Sequence, residues 1–203
     1  MKIAYDLRYA DGHFTGIGTH AYALLDSLLA LPGDERYVVL WNPDLRRARY
    51  PLDRIASHPR VIWTERRFRS VHPIGTVQVG AWLRGIRPAM YYSPFYLLPA
   101  AAGCPCLLTI HDVWPLRLPE GFSWARGLLY RASLAVARRA RFIITSSQFS
   151  RSEIIDLLHL PPERVRSFRS VERLACSACT KTAGTSRNRF RSRTTSGSRT
   201  AAT

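Results

Sequence analysis

The stretch YYSPFYLLPAAAGCPCLLTI, residues 91–110, decides the fold. It carries no charge over twenty positions, which is the length of a helix that crosses a bilayer. Pro94, Pro99 and Pro105 interrupt it, and each would remove a backbone hydrogen bond and clash with the preceding turn of a helix. The stretch therefore reads as strand, loop, strand, with AMYYS (89–93) and CLLTI (106–110) as the two strands.

Outward from this pair the chain alternates. Lys2 to Leu7 is a strand-length apolar run, and Thr19 to Leu31 places Tyr22, Leu25, Leu28 and Leu29 at helical spacing. Pro32-Gly33-Asp34 stops that helix. RYVVLWN (36–42) and RVIWT (60–64) are strands, and IGTVQVGAWLRGI (74–86) is a helix in spite of Gly75, Gly80 and Gly85. SWARGLLYRASLAVARRA (123–140) has helical composition, with Ser123 as its N-cap. RFIITS (141–146) is a buried strand, Ser147 caps a helix that Pro161-Pro162 ends, and ERVRS (163–167) opens one more strand. Strands alternating with helices predict a doubly wound α/β domain with a mainly parallel, Rossmann-like sheet.

The chain has 203 residues, of which 46% are hydrophobic, enough for one domain with its own core. Its formal charge is +16, unevenly spread: residues 166–203 hold nine of the thirty Lys and Arg but one of the fourteen acids, a net +8. Excess positive charge draws a protein toward phosphates of any kind and does not bear on fold. Cys104-Pro-Cys106 and Cys176-Ser-Ala-Cys179 match neither a zinc framework nor a disulfide framework, so unpaired thiols are expected and no metal site. The opening MKIAYDL is too short for a signal-peptide core, which makes the cytoplasm the default location.

In a doubly wound sheet, ligands gather outside the carboxyl ends of the strands. Three loops fall there. In DLRYADGHFTGIGTHAY (6–22), Gly16-Ile17-Gly18 stands at the entry to a helix, where amides and the helix dipole favour a phosphate. Gly16-x-Gly18-x-x-Ala21 also meets a loose dinucleotide fingerprint, but Asn42 closes the second strand where that fingerprint needs an acid. In TIHDVWPLRLPE (109–120), His111-Asp112 follows a buried strand; His111 suits a sugar hydroxyl or a reacting group, and Asp112 can orient it, or the pair merely caps a loop. In TSSQFSRSEI (145–154) the serines serve as helix caps or face a ligand.

Together MKIAYDLRYADGHFTGIGTHAYALLDSL (1–28), LTIHDVWPLRLPEGFS (108–123) and FIITSSQFSRSEIIDLLHLPPERV (142–165) resemble the N-terminal domain of a family 4 glycosyltransferase of the bacterial mannosyltransferase-like kind. The resemblance covers residues 1–166. It implies one half of a GT-B architecture, in which the N-terminal domain holds the acceptor and a C-terminal domain the nucleotide-sugar donor. It implies transfer with retention of configuration, no bound metal, and a glycan or lipid-linked acceptor in polysaccharide biosynthesis. Carried over by position, Gly16, Ile17 and Gly18 would line the donor's phosphates, and His111 and Asp112 would sit at the transferred sugar. Asp6, Arg8 and Ser147 would face the acceptor. The basic residue and tyrosine usual after the glycines are Thr19 and His20 here.

Beyond residue 166 the text changes to Arg, Ser, Thr and Ala without period. In relatives this point leads into the second domain. Only Lys2 and Lys181 are lysine among the basic residues, a mark of GC-rich coding, and a frameshift in such DNA yields this kind of text. Residues 167–203 are thus expected to be a disordered basic tail replacing a donor-binding half, which would leave the chain inactive alone. The other class of reading is a nucleic-acid or anionic-surface binder that uses the tail as an arm; one aromatic, Phe190, after Phe168 disfavours nucleic acid. RGLLYRASLAVARRARF (126–142) offers a further contact, peripheral binding to the inner face of an anionic membrane.

Overall fold

The computed structural model describes residues 1–10, 15–44, 50–113 and 124–168, all within the unit Met1–Phe168. In chain order the elements are β1 (Lys2–Asp6), α1 (Thr15–Ala30), β2 (Arg36–Trp41), α2 (Leu52–Ala56), β3 (Val61–Glu65), α3 (Pro73–Ile86), β4 (Met90–Ser93) and β5 (Cys106–Thr109). There follow α4 (Trp124–Ala137), β6 (Phe142–Thr145), α5 (Gln148–Leu158), a 3-10 turn at Pro162–Arg164 and β7 (Val165–Ser167). The strands form one seven-stranded sheet in the order β3-β2-β1-β4-β5-β6-β7. Every pairing is parallel, with Ala4 opposite Val38 and Tyr91 across the first switch of direction.

The uncharged stretch resolves as two strands. β4 ends at Ser93 just before Pro94, and β5 begins just after Pro105, whose carbonyl accepts from the Tyr91 amide at 3.0 Å. Between them Ala101 and Gly103 take left-handed φ of 49° and 70°, so the loop bends where a helix would have continued. Among the described residues, no helix is long and apolar enough to cross a membrane.

Side-chain alternation divides the core into two faces. Ile3, Tyr5, Tyr37, Val39, Trp41 and Tyr92 pack under α1 and α2. Ala4, Val38, Leu40, Tyr91 and Cys106 pack under α3 on the opposite face, which Leu108, Ile110, Ile143 and Val165 continue under α4 and α5. The doubly wound arrangement follows from strands that are apolar on both sides.

Differences from the sequence reading have local causes. α1 begins at Thr15, one turn before Thr19, because the first turn's amides need no intrahelical partners and glycines there cost little. α2 is five residues long, too short for a periodic signal, and is anchored by Ile55 at 1% exposure. The carbonyls that end α1 are met from afar: Arg60 Nη2 donates to Leu28 O at 3.1 Å and Leu31 O at 2.7 Å. α3 is capped by His72, whose Nδ1 accepts from the Ile74 amide at 3.1 Å, and ends on Arg87 in the left-handed region. α4 stops at Ala137, and its expected cap Ser123 lies outside the described residues. Cys104 and Cys106 are free thiols, the second donating to the Cys104 carbonyl at 3.4 Å; Cys176 and Cys179 lie outside the described residues, as do the tail's residues 169–203.

Candidate functional site

The strand order reverses between β1 and β4, and the crevice above that reversal is where an open α/β sheet offers its loops to a ligand. Asp6 closes β1, and its side chain does not reach solvent. Arg8 curls back on it, donating from Nε to Oδ1 at 2.9 Å and from Nη2 to Oδ2 at 2.7 Å, with Nη1 on the Arg69 carbonyl at 3.0 Å. Tyr91, on the neighbouring β4, donates to Asp6 Oδ2 at 2.6 Å. Burial alone would lower the Arg8 pKa, but the facing carboxylate outweighs it and holds the guanidinium above its ordinary value. This bidentate pair ties the β1–α1 loop to the switch point. It lies beneath the crevice, with both side chains turned inward.

The two glycines of the β1–α1 loop do different things. Among the described residues, apart from its chain neighbours and its own helix backbone, nothing lies within 4 Å of where a Cβ on Gly16 would be, which leaves its backbone open to an approaching ligand. A Cβ on Gly18 would lie 2.8 Å from the Tyr9 carbonyl oxygen and 3.0 Å from Ala10 Cα. Gly18 therefore lets α1 sit against the Tyr9–Ala10 segment, and Ile17 stands between the two, half-buried. Asp11 to Phe14 lie outside the described residues.

Across the crevice, His111 follows the end of β5. Its Nε2 lies 3.2 Å from the Pro94 carbonyl; since a carbonyl only accepts, Nε2 carries the proton and Nδ1 keeps its lone pair. Ser146 Oγ, from the end of β6, donates to the His111 carbonyl at 3.1 Å. Burial lowers the His111 pKa, partly offset by the Pro94 carbonyl and by Asp112. A neutral imidazole with a fixed tautomer can accept a hydrogen bond from a hydroxyl. Asp112 is exposed beside it, and its carbonyl accepts from Tyr130 Oη at 3.1 Å.

His20 joins the two sides. It lies one turn into α1, and its ring meets His111 edge-on at 5.4 Å between centroids and Phe168 at 4.7 Å. Its Nε2 is 3.0 Å from Tyr92 Oη, which is 2.9 Å from Thr109 Oγ1. The first turns of α1 and the carboxyl end of β5 thus share one crevice. The sequence marks His20 only as a departure from the resemblance; that it faces β5 is a matter of helix phase against the sheet. Ser147 stands apart as the N-cap of α5, its Oγ accepting from the Ser150 amide at 2.9 Å. The structure thus brings Gly16, Ile17, Gly18, His20 and His111 to the crevice, sets Asp6 and Arg8 under it, and leaves Ser147 on the next helix.

Burial, with His111 alongside, pushes His20 down to about 4. An unfolded histidine titrates near 6.5, so between these values the unfolded chain binds the extra proton and stability falls as pH drops. With the ring half-buried and partly screened, the loss from pH 7 to pH 4.5 is expected to be about 1–2 kcal/mol. Urea unfolding at the two pH values measures it, and His20→Gln should flatten the dependence. An NMR titration placing His20 at or above its ordinary value would contradict the assignment.

The model of Glycosyltransferase Family 4 matches residues 14–168, and the chain belongs to that family. None of the curated proteins compared with the chain matches it.

Proposed function

We propose that this glycosyltransferase domain binds the acceptor and closes over the diphosphate of a nucleotide-sugar, transferring the sugar with retention of configuration and without a resident metal. The acceptor is a glycan or a lipid-linked glycan, and the place of work is the cytoplasm or the inner face of its membrane. In the reaction the bond from the anomeric carbon to the diphosphate oxygen breaks. A bond from the same carbon to an acceptor hydroxyl oxygen forms on the same face, and the hydroxyl proton leaves with the diphosphate.

The observation that carries this reading is the shared crevice of α1's first turn and His111, joined through the 5.4 Å contact of His20 with His111. Amides at Gly16, Ile17 and Gly18 face developing phosphate charge with a helix dipole behind them. His111 Nδ1 accepts from a hydroxyl of the transferred sugar, and Asp112 bears on the same group. Asp6 and Arg8 act through the loop they anchor, and Ser147 through the helix it caps at the acceptor side. Among the described residues at the switch point, the Arg8 guanidinium is already held by the Asp6 carboxylate and the Arg69 carbonyl, so it is not offered to a diphosphate. On this reading the grip on the diphosphate belongs to a second, donor-binding domain, and the expected result for the chain by itself is no sugar transfer.

NMR of the isotope-labelled chain tests this. Nucleotide-sugars are expected to shift the amides of Gly16, Ile17 and Gly18 and the ring of His111 with a Kd on the order of 1 mM, with no sugar transferred. Robust transfer by the chain alone would remove the need for a second domain. Absence of these shifts with every nucleotide-sugar tried would remove the donor assignment itself.

A further inference from the structure

Charge along the chain is divided as sharply as its fold. Residues 1–65 hold eight acids and eight bases, whereas residues 66–152 hold twelve arginines and two acids. The basic part contains α3 and α4, which share one face of the sheet. That face is also where large aliphatic side chains stand in solvent: Ile74 and Val77 on α3 are 54% and 57% exposed, and Leu128 and Leu129 on α4 are 54% and 52% exposed. Between the helices runs a groove of about 210 Å³, lined by Val71, Thr76, Tyr96, Leu98, Leu129 and Val136. Arg131, Arg138 and Arg139 are exposed along α4, Arg131 and Arg138 on the flank away from this groove, where they line a second hollow with Leu157 and Leu158.

We propose that this α3/α4 face docks on an anionic phospholipid bilayer, with Leu128, Leu129 and Val136 entering the headgroup region and a lipid chain lying in the groove. Exposed aliphatic residues on a helix that also carries exposed arginines match a surface that is apolar beneath and negative above. The long arginine side chains can keep their charge at headgroup level while their stems lie on apolar surface. A nucleic acid would take the charge but leave the leucines and valines in water. The orientation also suits the crevice: aromatic contacts run from Tyr96 in the groove through Phe95 at 4.1 Å to Tyr9 at 4.9 Å, beside Arg8 at the switch point. A lipid-borne acceptor would then reach the crevice without leaving the surface. The docking itself does not rest on the transferase reading.

Co-sedimentation of the full 203-residue chain with vesicles tests it. Vesicles with about one part in three phosphatidylglycerol should bind the chain, and pure phosphatidylcholine should not; each arginine at an anionic surface is worth roughly fivefold in partitioning. The triple variant Arg131→Glu/Arg138→Glu/Arg139→Glu should then bind at least about 100-fold more weakly. Leu128→Ser/Leu129→Ser/Val136→Ser, which leaves every charge in place, should bind at least about tenfold more weakly. Val77→Ser on α3 gives a separate single change, and far-UV circular dichroism verifies the fold of each. The proposal is overturned if anionic vesicles bind no protein, or if both triple variants bind within about twofold of the parent, as when the basic tail carries the binding. A preference for duplex DNA over vesicles, unchanged by the serine variant, would overturn it as well. None of these outcomes reads sugar transfer.

Discussion

Replacing Asp6 by Ala is expected to lower the unfolding free energy by about 3–5 kcal/mol, the largest loss expected of any single change considered for this domain. The carboxylate has no exposed surface and faces the guanidinium of Arg8, whose side chain is 4% exposed, with Nη2 at 2.7 Å. Removing it leaves the Arg8 charge buried without a counterion and the Tyr91 hydroxyl without its acceptor at 2.6 Å. The double variant Asp6→Leu/Arg8→Met removes both charges and is expected to be less destabilised than Asp6→Ala, because a buried ion pair repays much of its own desolvation and little more. Urea unfolding of the parent, Asp6→Ala, Asp6→Leu, Arg8→Met and the double variant gives the comparison. If the double variant lost as much as the sum of its parts, the pair would not be coupled and the ion pair would not be what holds the loop.

Gly80→Ala is expected to destabilise the domain by about 2–3 kcal/mol, against the ordinary preference of a helix for alanine. By propensity alone that change in a helix interior should stabilise by roughly 0.5–1 kcal/mol. A Cβ at Gly80, however, would collide with the carbonyl oxygen of Ala100, where the loop between β4 and β5 crosses α3 and the Ala100 amide donates to Thr76 O at 3.0 Å. Neither partner is a flexible side-chain end, so the helix or the loop must move. Gly85 in the same helix has open space around its Cβ position, and Gly85→Ala should stabilise by about 0.5–1 kcal/mol. Thermal unfolding of both variants decides whether opposite signs are found; a stabilised Gly80→Ala would mean that loop and helix are not in contact.

The glycines of α3 show where sequence reading stops. The apolar spacing of residues 74–86 is helical, and the glycines look like weaknesses in it. Gly75 is close against the Arg69 carbonyl and Gly80 against Ala100, so both are the condition for close packing, which no local pattern reveals. Gly16 and Gly18 divide in the same way: similar in the text, one is open to a ligand and the other pressed on its own loop. The crevice was legible as far as loops after β1 and β5, since strand ends and helix starts follow from periodicity. That His20 meets His111 was not, because a helix's rotation about its axis depends on which of its residues the sheet accepts.

From the amino-acid order alone came the alternation of apolar strands with helices, the three prolines that forbid a spanning helix at residues 91–110, the parallel doubly wound class and the family resemblance. These depend on periodicity, on proline's missing amide and on short motifs, all of which act over a few residues. Tertiary structure decided the strand order, the inward turn of Asp6 and Arg8, the meeting of His20 with His111, and the gathering of arginine and exposed leucine on one face. Those depend on which distant segments share a surface, and contacts across 61 to 91 positions, as between Arg8 and Arg69 or His20 and His111, are set by packing the whole sheet.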